Sequence, residues 1–169
     1  MRNNIMCCDY ADFALTPADF VWFAPPCTHY SIARSKAKTP RDLEGSDRIV
    51  QRCLDIIHYW RPRYWVIENP QTGLLKTRAV VQGLEFKDLD YCSYGAPYRK
   101  RTRLWTNLTW TPRALCTHKT HIQTAQKGPS KRAGQLITGD NCSLQTLHSL
   151  PAELTREIML HCENETQED

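Results

Sequence analysis

Hydrophobic residues in this chain fall into short runs whose period changes from one run to the next. Phe20-Val21-Trp22-Phe23 is continuously apolar, which predicts a buried parallel strand over residues 20–24 rather than a half-exposed one. It ends at Pro25-Pro26, where proline fixes its own φ and keeps the preceding residue extended, so Cys27 is expected on a constrained turn at the strand end. Beyond a polar loop, Thr39-Pro40 reads as a helix start. Ile49, Val50, Cys53, Leu54, Ile57 and Trp60 then recur at steps of three and four, giving one apolar face. Gly45 is expected to weaken the early turns. Arg61-Pro62 stops the helix, and Tyr64-Trp65-Val66-Ile67 supplies a second strand that carries Glu68 to its C-terminal end. This strand–helix–strand order is a right-handed βαβ unit, so the chain is expected to be α/β with a mostly parallel sheet flanked by helices.

The later pattern is less regular. A brief strand is expected over residues 5–8 and a short helix within residues 77–84. Residues 89–94 and 103–108 alternate well enough to form a hairpin around Gly95-Ala96-Pro97. From 111 to 142 apolar content falls and the reading is loop. A last helix starts near Ser149-Leu150-Pro151, with Leu154 and Ile158 on one face, and residues 163–169 are expected to fray. The organisation expected is therefore a core over residues 1–110, a loop-rich segment over 111–148, and a C-terminal helix and tail over 149–169.

Composition adds few constraints. With 41% hydrophobic and 24% charged residues the chain is ordinary for a globular protein. No apolar stretch approaches the roughly 20 residues of a membrane span, and no signal-type region follows the start. No membrane association is expected, and the location expected is intracellular: cytoplasm or nucleus, or a host cell if the chain is viral. Eight cysteines without a secretion signal are expected to stay reduced. The net charge of +4 is uneven, with Arg99-Lys100-Arg101-Thr102-Arg103 the densest basic cluster, which admits a polyanion partner as well as a solvated loop.

A thiolate can add to an electrophilic ring carbon, and a nearby carboxyl can protonate the acceptor. Alone, Cys27 reads as a turn or core cysteine, and Glu68 as a solvated strand end. Together and in order, Pro25-Pro26-Cys27, Glu68-Asn69-Pro70, and Tyr94-Gly95-Ala96-Pro97 followed by Arg101-Thr102-Arg103 resemble the motifs of the DNA cytosine carbon-5 methyltransferases. The resemblance covers residues 19–108. It implies a partial Rossmann-like methyltransferase fold, S-adenosylmethionine as cofactor and double-stranded DNA as partner. It further implies that Cys27 attacks carbon-6 of a flipped cytosine, that Glu68 contacts N3 and the exocyclic amine, and that Arg101 and Arg103 assist. Pro26, Asn69, Pro70, Arg99 and Lys100 are then expected at the substrate, and Asp9, Asp12 and Pro25 at the cofactor.

Two departures accompany the resemblance. The family's Gln-x-Arg-x-Arg reads here as Tyr98-Arg99-Lys100-Arg101-Thr102-Arg103. Its Phe-x-Gly-x-Gly loop and closing Gly-Asn motif are not seen, although Leu144-Gln145-Thr146-Leu147 is similar to the segment before the latter. A shortened member is expected: either a complementing subunit carrying the glycine loop completes the sheet edge left open, or a homo-oligomer covers it, or the chain is a variant with weakened cofactor binding. The alternative to an enzyme is a DNA-binding remnant, or one subunit of a split methyltransferase. Cys116-x-His118-x-x-His121, with Cys142, offers donors that zinc can take, but the spacing is not that of a standard finger and no metal is expected. His29, beside Cys27, reads as a loop histidine.

Overall fold

The computed structural model describes residues 19–32, 34, 37–117, 121 and 149–167. Asp9, Asp12, His118 and Cys142 lie outside the described residues, as do the strand expected over 5–8 and the segment 144–147. The element order is β1 (Phe20–Phe23), α1 (Leu43–Trp60), β2 (Tyr64–Pro70), two 3-10 turns (Leu74–Thr77 and Ala79–Val81), β3 (Phe86–Asp90), a third 3-10 turn (Tyr91–Tyr94), β4 (Arg101–Thr106) and α2 (Ala152–Gln167). The strands form one sheet in the order β1-β2-β4-β3.

The expected βαβ unit is present: β1 and β2 pair in parallel, with Phe20 opposite Tyr64 and Phe23 opposite Ile67. The sheet as a whole is mixed rather than mostly parallel. Thr106 N donates to Glu85 O and Tyr91 N donates to Lys100 O, so β3 and β4 run antiparallel. The hairpin was therefore legible, but its first strand was not. Residues 91–94 were expected to be extended and instead curl into a 3-10 turn closed by Gly95 at φ +86°, a conformation that favours glycine.

The described residues divide into two compact units, one within 19–86 together with Arg103–Leu108, the other of Lys87–Thr102 together with 109–117, 121 and 149–167. In the first, Val50, Cys53 and Ile56 of α1 pack with Val21, Phe23, Ile67 and Trp105 of the strands. Tyr30, Leu75 and Val81 complete that core.

Helix α1 begins later than Thr39-Pro40 implies. Its cap is Asp42, whose carboxylate accepts from Gly45 N at 2.7 Å. A Cβ on Gly45 would lie 2.1 Å from that carboxylate, so the glycine expected to weaken the helix is what lets the cap close over it. Thr39 instead supplies its carbonyl to Arg34. At the other end Arg61 adopts a left-handed conformation (φ 49°, ψ 51°) and donates its N–H to Ile57 O before Pro62 prevents continuation.

In the second unit α2 buries Leu154, Ile158 and Cys162, spaced at i, i+4 and i+8. It runs to Gln167, well into the stretch expected to fray. Residues 77–84 form 3-10 turns rather than a short helix. No helix among the described residues is long and apolar enough to cross a membrane.

Candidate active site

The first unit brings Pro25, Pro26, Cys27, Glu68, Asn69 and Pro70 to one end of the parallel pair. Continuing the register past Phe23 and Ile67 sets Ala24 beside Glu68 and Pro25 beside Asn69. Asn69 Nδ2 donates to Pro25 O at 2.9 Å, so the strand bearing Glu68 and the turn bearing Cys27 are tied directly. Glu68 and Asn69 belong to β2 itself, and neither is at the surface: Glu68 is 7% exposed and Asn69 0%. The solvated carboxylate that the sequence allowed is excluded by this burial. Successive strand residues face opposite sides of a sheet. Asn69 therefore shares its face with Ile67 of the core, while Glu68 lies on the other. Among the described residues, the buried Asn69 Oδ1 has no hydrogen-bond partner.

The Cys27 turn is held from three directions. Cys27 O accepts from Tyr30 N at 3.0 Å and from Ser31 N at 2.9 Å, which closes the turn on itself. Tyr30 O accepts from Leu74 N, at the segment that follows Pro70. Tyr30 is fully buried, and its hydroxyl donates to Asp47 Oδ1 on α1 at 2.8 Å. Arg78 grips Asp47 Oδ2 through Nε and Nη2 at 2.9 and 2.7 Å, so the carboxylate is anchored in turn. Burial, together with the hydrogen bond and charge of Asp47, pushes the Tyr30 phenol well above its usual range. The Cys27 thiol itself is half-buried.

Tyr30, Asp47 and Arg78 brace the turn, and sequence reading missed them. Tyr30 stood in an apparently polar loop, and only its aromatic bulk hinted at burial. His29 is the loop histidine expected: its Nδ1 accepts from Asp42 N at 2.9 Å, and its carbonyl accepts from Arg41. It braces the start of α1.

The basic residues of the arginine-bearing motif divide between the units. In the first, the Arg103 guanidinium lies 3.6 Å from the centre of the half-exposed Phe86 ring, a stacking that a planar cation suits. In the second, Arg101 clasps the fully buried Asp90 through Nε and Nη2 at 3.1 and 2.6 Å, and Arg99 adds a longer pairing at 3.5 Å. Lys100 sits over the Tyr91 ring at 4.6 Å. Burial alone would raise the Asp90 carboxyl. Hydrogen bonds from Arg101 and the Cys116 amide, with the charges of Arg101 and Arg99, outweigh that and hold it below the usual carboxylate range.

Of the residues considered as metal donors, Cys116 and His121 are described, and they meet: Sγ and Nε2 are 3.3 Å apart. Cys92, which no spacing in the sequence singled out, is with them, and the three donor atoms lie within 4.8 Å of one another. Of the positions expected at a cofactor, Pro25 is described. It is buried and its carbonyl accepts from Asn69.

Comparison with protein-family models found no match. The chain is 32% identical over 123 residues to a protein of Frog virus 3 (isolate Goorha) named "Probable DNA (cytosine-5)-methyltransferase". The alignment covers 66% of this chain and 56% of the viral protein, so the chain spans little more than half the length of the curated relative it matches.

Proposed function

We propose, on the premise that this chain is a relative of the DNA (cytosine-5)-methyltransferases, that it takes part in methylating carbon-5 of cytosine in double-stranded DNA, with Cys27 as nucleophile. The observation that carries this reading is the Asn69–Pro25 hydrogen bond together with the parallel register, which joins the Cys27 turn to the strand end bearing Glu68. A thiol and a carboxyl on adjacent strand ends, braced by Tyr30, Asp47 and Arg78, is what addition to a pyrimidine requires.

The target base must leave the helix, because carbon-6 cannot meet a side chain inside the stack. The Cys27 thiolate forms a bond to carbon-6, and the π pair of the 5,6 bond moves into the ring. Glu68 delivers a proton to N3 and accepts from the exocyclic amine, so the ring holds that electron density without net negative charge. Carbon-5 becomes nucleophilic. S-adenosylmethionine, the donor the family uses, would supply an electrophilic methyl group when bound. Once carbon-5 carries the methyl group, loss of its proton to a solvent base re-forms the 5,6 double bond as the bond between the Cys27 sulfur and carbon-6 breaks, so Cys27 leaves as the thiolate and N3 returns its proton to Glu68.

Arg103 is proposed to steady the nucleophile turn and nearby phosphate, with its plane preset by Phe86. Arg101 is proposed to act once it exchanges Asp90 for an anionic oxygen of DNA, with Arg99 and Lys100 adding phosphate contacts. Asn69, Pro26 and Pro70 set the turn geometry.

The test is methyl transfer from labelled S-adenosylmethionine to cytosine-containing DNA, paired with covalent capture by DNA bearing 5-fluorocytosine. Cys27→Ser is expected to lower transfer by at least about 1,000-fold, equivalent to about 4 kcal/mol of barrier, and to abolish capture. Glu68→Gln is expected to lower transfer by roughly 100- to 10,000-fold. Capture that survives in Cys27→Ser, or methyl label found on the exocyclic nitrogen, would overturn the assignment.

A further inference from the structure

The second unit contains a cluster of soft donors outside the cytosine chemistry. Cys92 lies on the 3-10 turn after β3, and Cys116 on the extended segment after β4. The two backbones are laced together on both sides of the thiols. Cys116 N donates to Asp90 Oδ2 at 3.0 Å, and Ser93 Oγ to Ala114 O at 3.0 Å. Arg113 N donates to the Tyr94 hydroxyl at 2.8 Å, and Arg113 Nη1 to Ser93 O at 2.9 Å. None of these bonds uses a sulfur atom. The two thiols are thus presented side by side by independent contacts, and His121 Nε2 closes the group at 3.3 Å from Cys116 Sγ.

The dimensions fit a tetrahedral ion. Zinc–sulfur and zinc–nitrogen bonds imply donor separations of about 3.8 Å between two sulfurs and about 3.6 Å between sulfur and nitrogen. All three donor atoms lie within 4.8 Å of one another, so small side-chain rotations suffice. The charges also fit. Two thiolates and a neutral imidazole balance a dication, and the adjacent Asp90 is already matched by Arg101 and Arg99, which leaves it holding the Cys116 backbone. Two sulfurs and one nitrogen select zinc over magnesium or calcium, whose ligands are oxygens.

We propose that Cys92, Cys116 and His121 bind one zinc ion, and that the ion ties the segment after β4 to the turn after β3. Binding displaces the two thiol protons to solvent and involves no redox step.

The full chain, purified reduced and without chelator, is expected to carry about one zinc per molecule by elemental mass spectrometry. Cobalt(II) in its place is expected to give the intense visible bands of a tetrahedral site and charge-transfer bands for two thiolates. Zinc should protect Cys92 and Cys116 from alkylation, as mapped by peptide mass spectrometry, and chelation should expose both. Cys92→Ser and His121→Ala are expected to weaken zinc binding at least about tenfold, while His58→Ala, on the exposed face of α1, leaves it unchanged. Absence of zinc and of a cobalt spectrum would overturn the proposal. So would protection that falls on cysteines other than Cys92 and Cys116, a readout that needs no variant to fold.

Discussion

Asn69 and Pro25 are joined by a single hydrogen bond, Nδ2 to O at 2.9 Å, between two residues that are both buried. It ties the strand carrying Glu68 directly to the turn carrying Cys27. Because neither end can turn to water, losing the amide strands a buried carbonyl. Asn69→Ala is expected to lower stability by about 1–3 kcal/mol, read as a shift in the urea midpoint at unchanged m-value. Asn69→Asp sets a carboxylate oxygen against the Pro25 carbonyl and is expected to cost more than Asn69→Ala. An Asp variant as stable as the parent would show that the bond does not hold the turn.

Tyr30 makes stability sensitive to alkali. Its phenol titrates higher in the folded protein than the ordinary value of about 10, so the folded state resists losing that proton. The contribution is complete below the unfolded pKa and declines as pH rises past about 10, because the unfolded chain gives up the proton first. The urea midpoint should fall between about pH 9 and about pH 11, and fall less in Tyr30→Phe. Equal slopes in the two proteins would remove Tyr30 from the account.

Arg61 closes α1 in a left-handed conformation that costs a side-chain-bearing residue about 1–2 kcal/mol and glycine almost nothing. Its N–H keeps its bond to Ile57 O in either case. Arg61→Gly is therefore expected to raise stability by about 0.5–1 kcal/mol, the conformational gain being partly offset by a freer unfolded chain. A destabilised variant would mean that the Arg61 side chain does more than the cap geometry requires.

Leu154 is fully buried on α2, in line with Ile158 and Cys162. Leu154→Ala is expected to cost about 2–5 kcal/mol and to loosen the helix before the first unit is affected. Hydrogen exchange resolved by segment checks this: protection over 152–167 should fall while that over 43–60 holds. On the same helix Glu153 and Glu157 both receive the Arg113 guanidinium, which stacks on Tyr94 at 4.7 Å. Arg113→Ala should loosen the same segment, in a salt-dependent manner, because these are half-exposed ion pairs.

The sequence by itself determined what depends on neighbours along the chain. Phe20-Val21-Trp22-Phe23, the 3.6-residue stripe from Ile49 to Trp60, and Tyr64-Trp65-Val66-Ile67 specify strand, helix and strand, and the Leu154–Ile158 spacing specifies the last helix. The ordered Pro-Cys, Glu-Asn-Pro and arginine motifs carried the family resemblance, and a viral relative at 32% identity agrees with it. Tertiary structure decided whatever depends on groups distant in sequence. Whether Glu68 is wet or buried is set by the sheet around it. The same holds for the buried Tyr30 in a polar-looking loop, which needs Asp47 and Arg78 to be satisfied. Gly45 helps rather than harms only because the Asp42 side chain folds back over it. Cys92 joins Cys116 and His121 because two backbones are laced across the end of a hairpin, a proximity that no spacing along the chain encodes. Local pattern fixes which element a residue occupies; hydrogen bonds and packing between elements fix which partner it finds there.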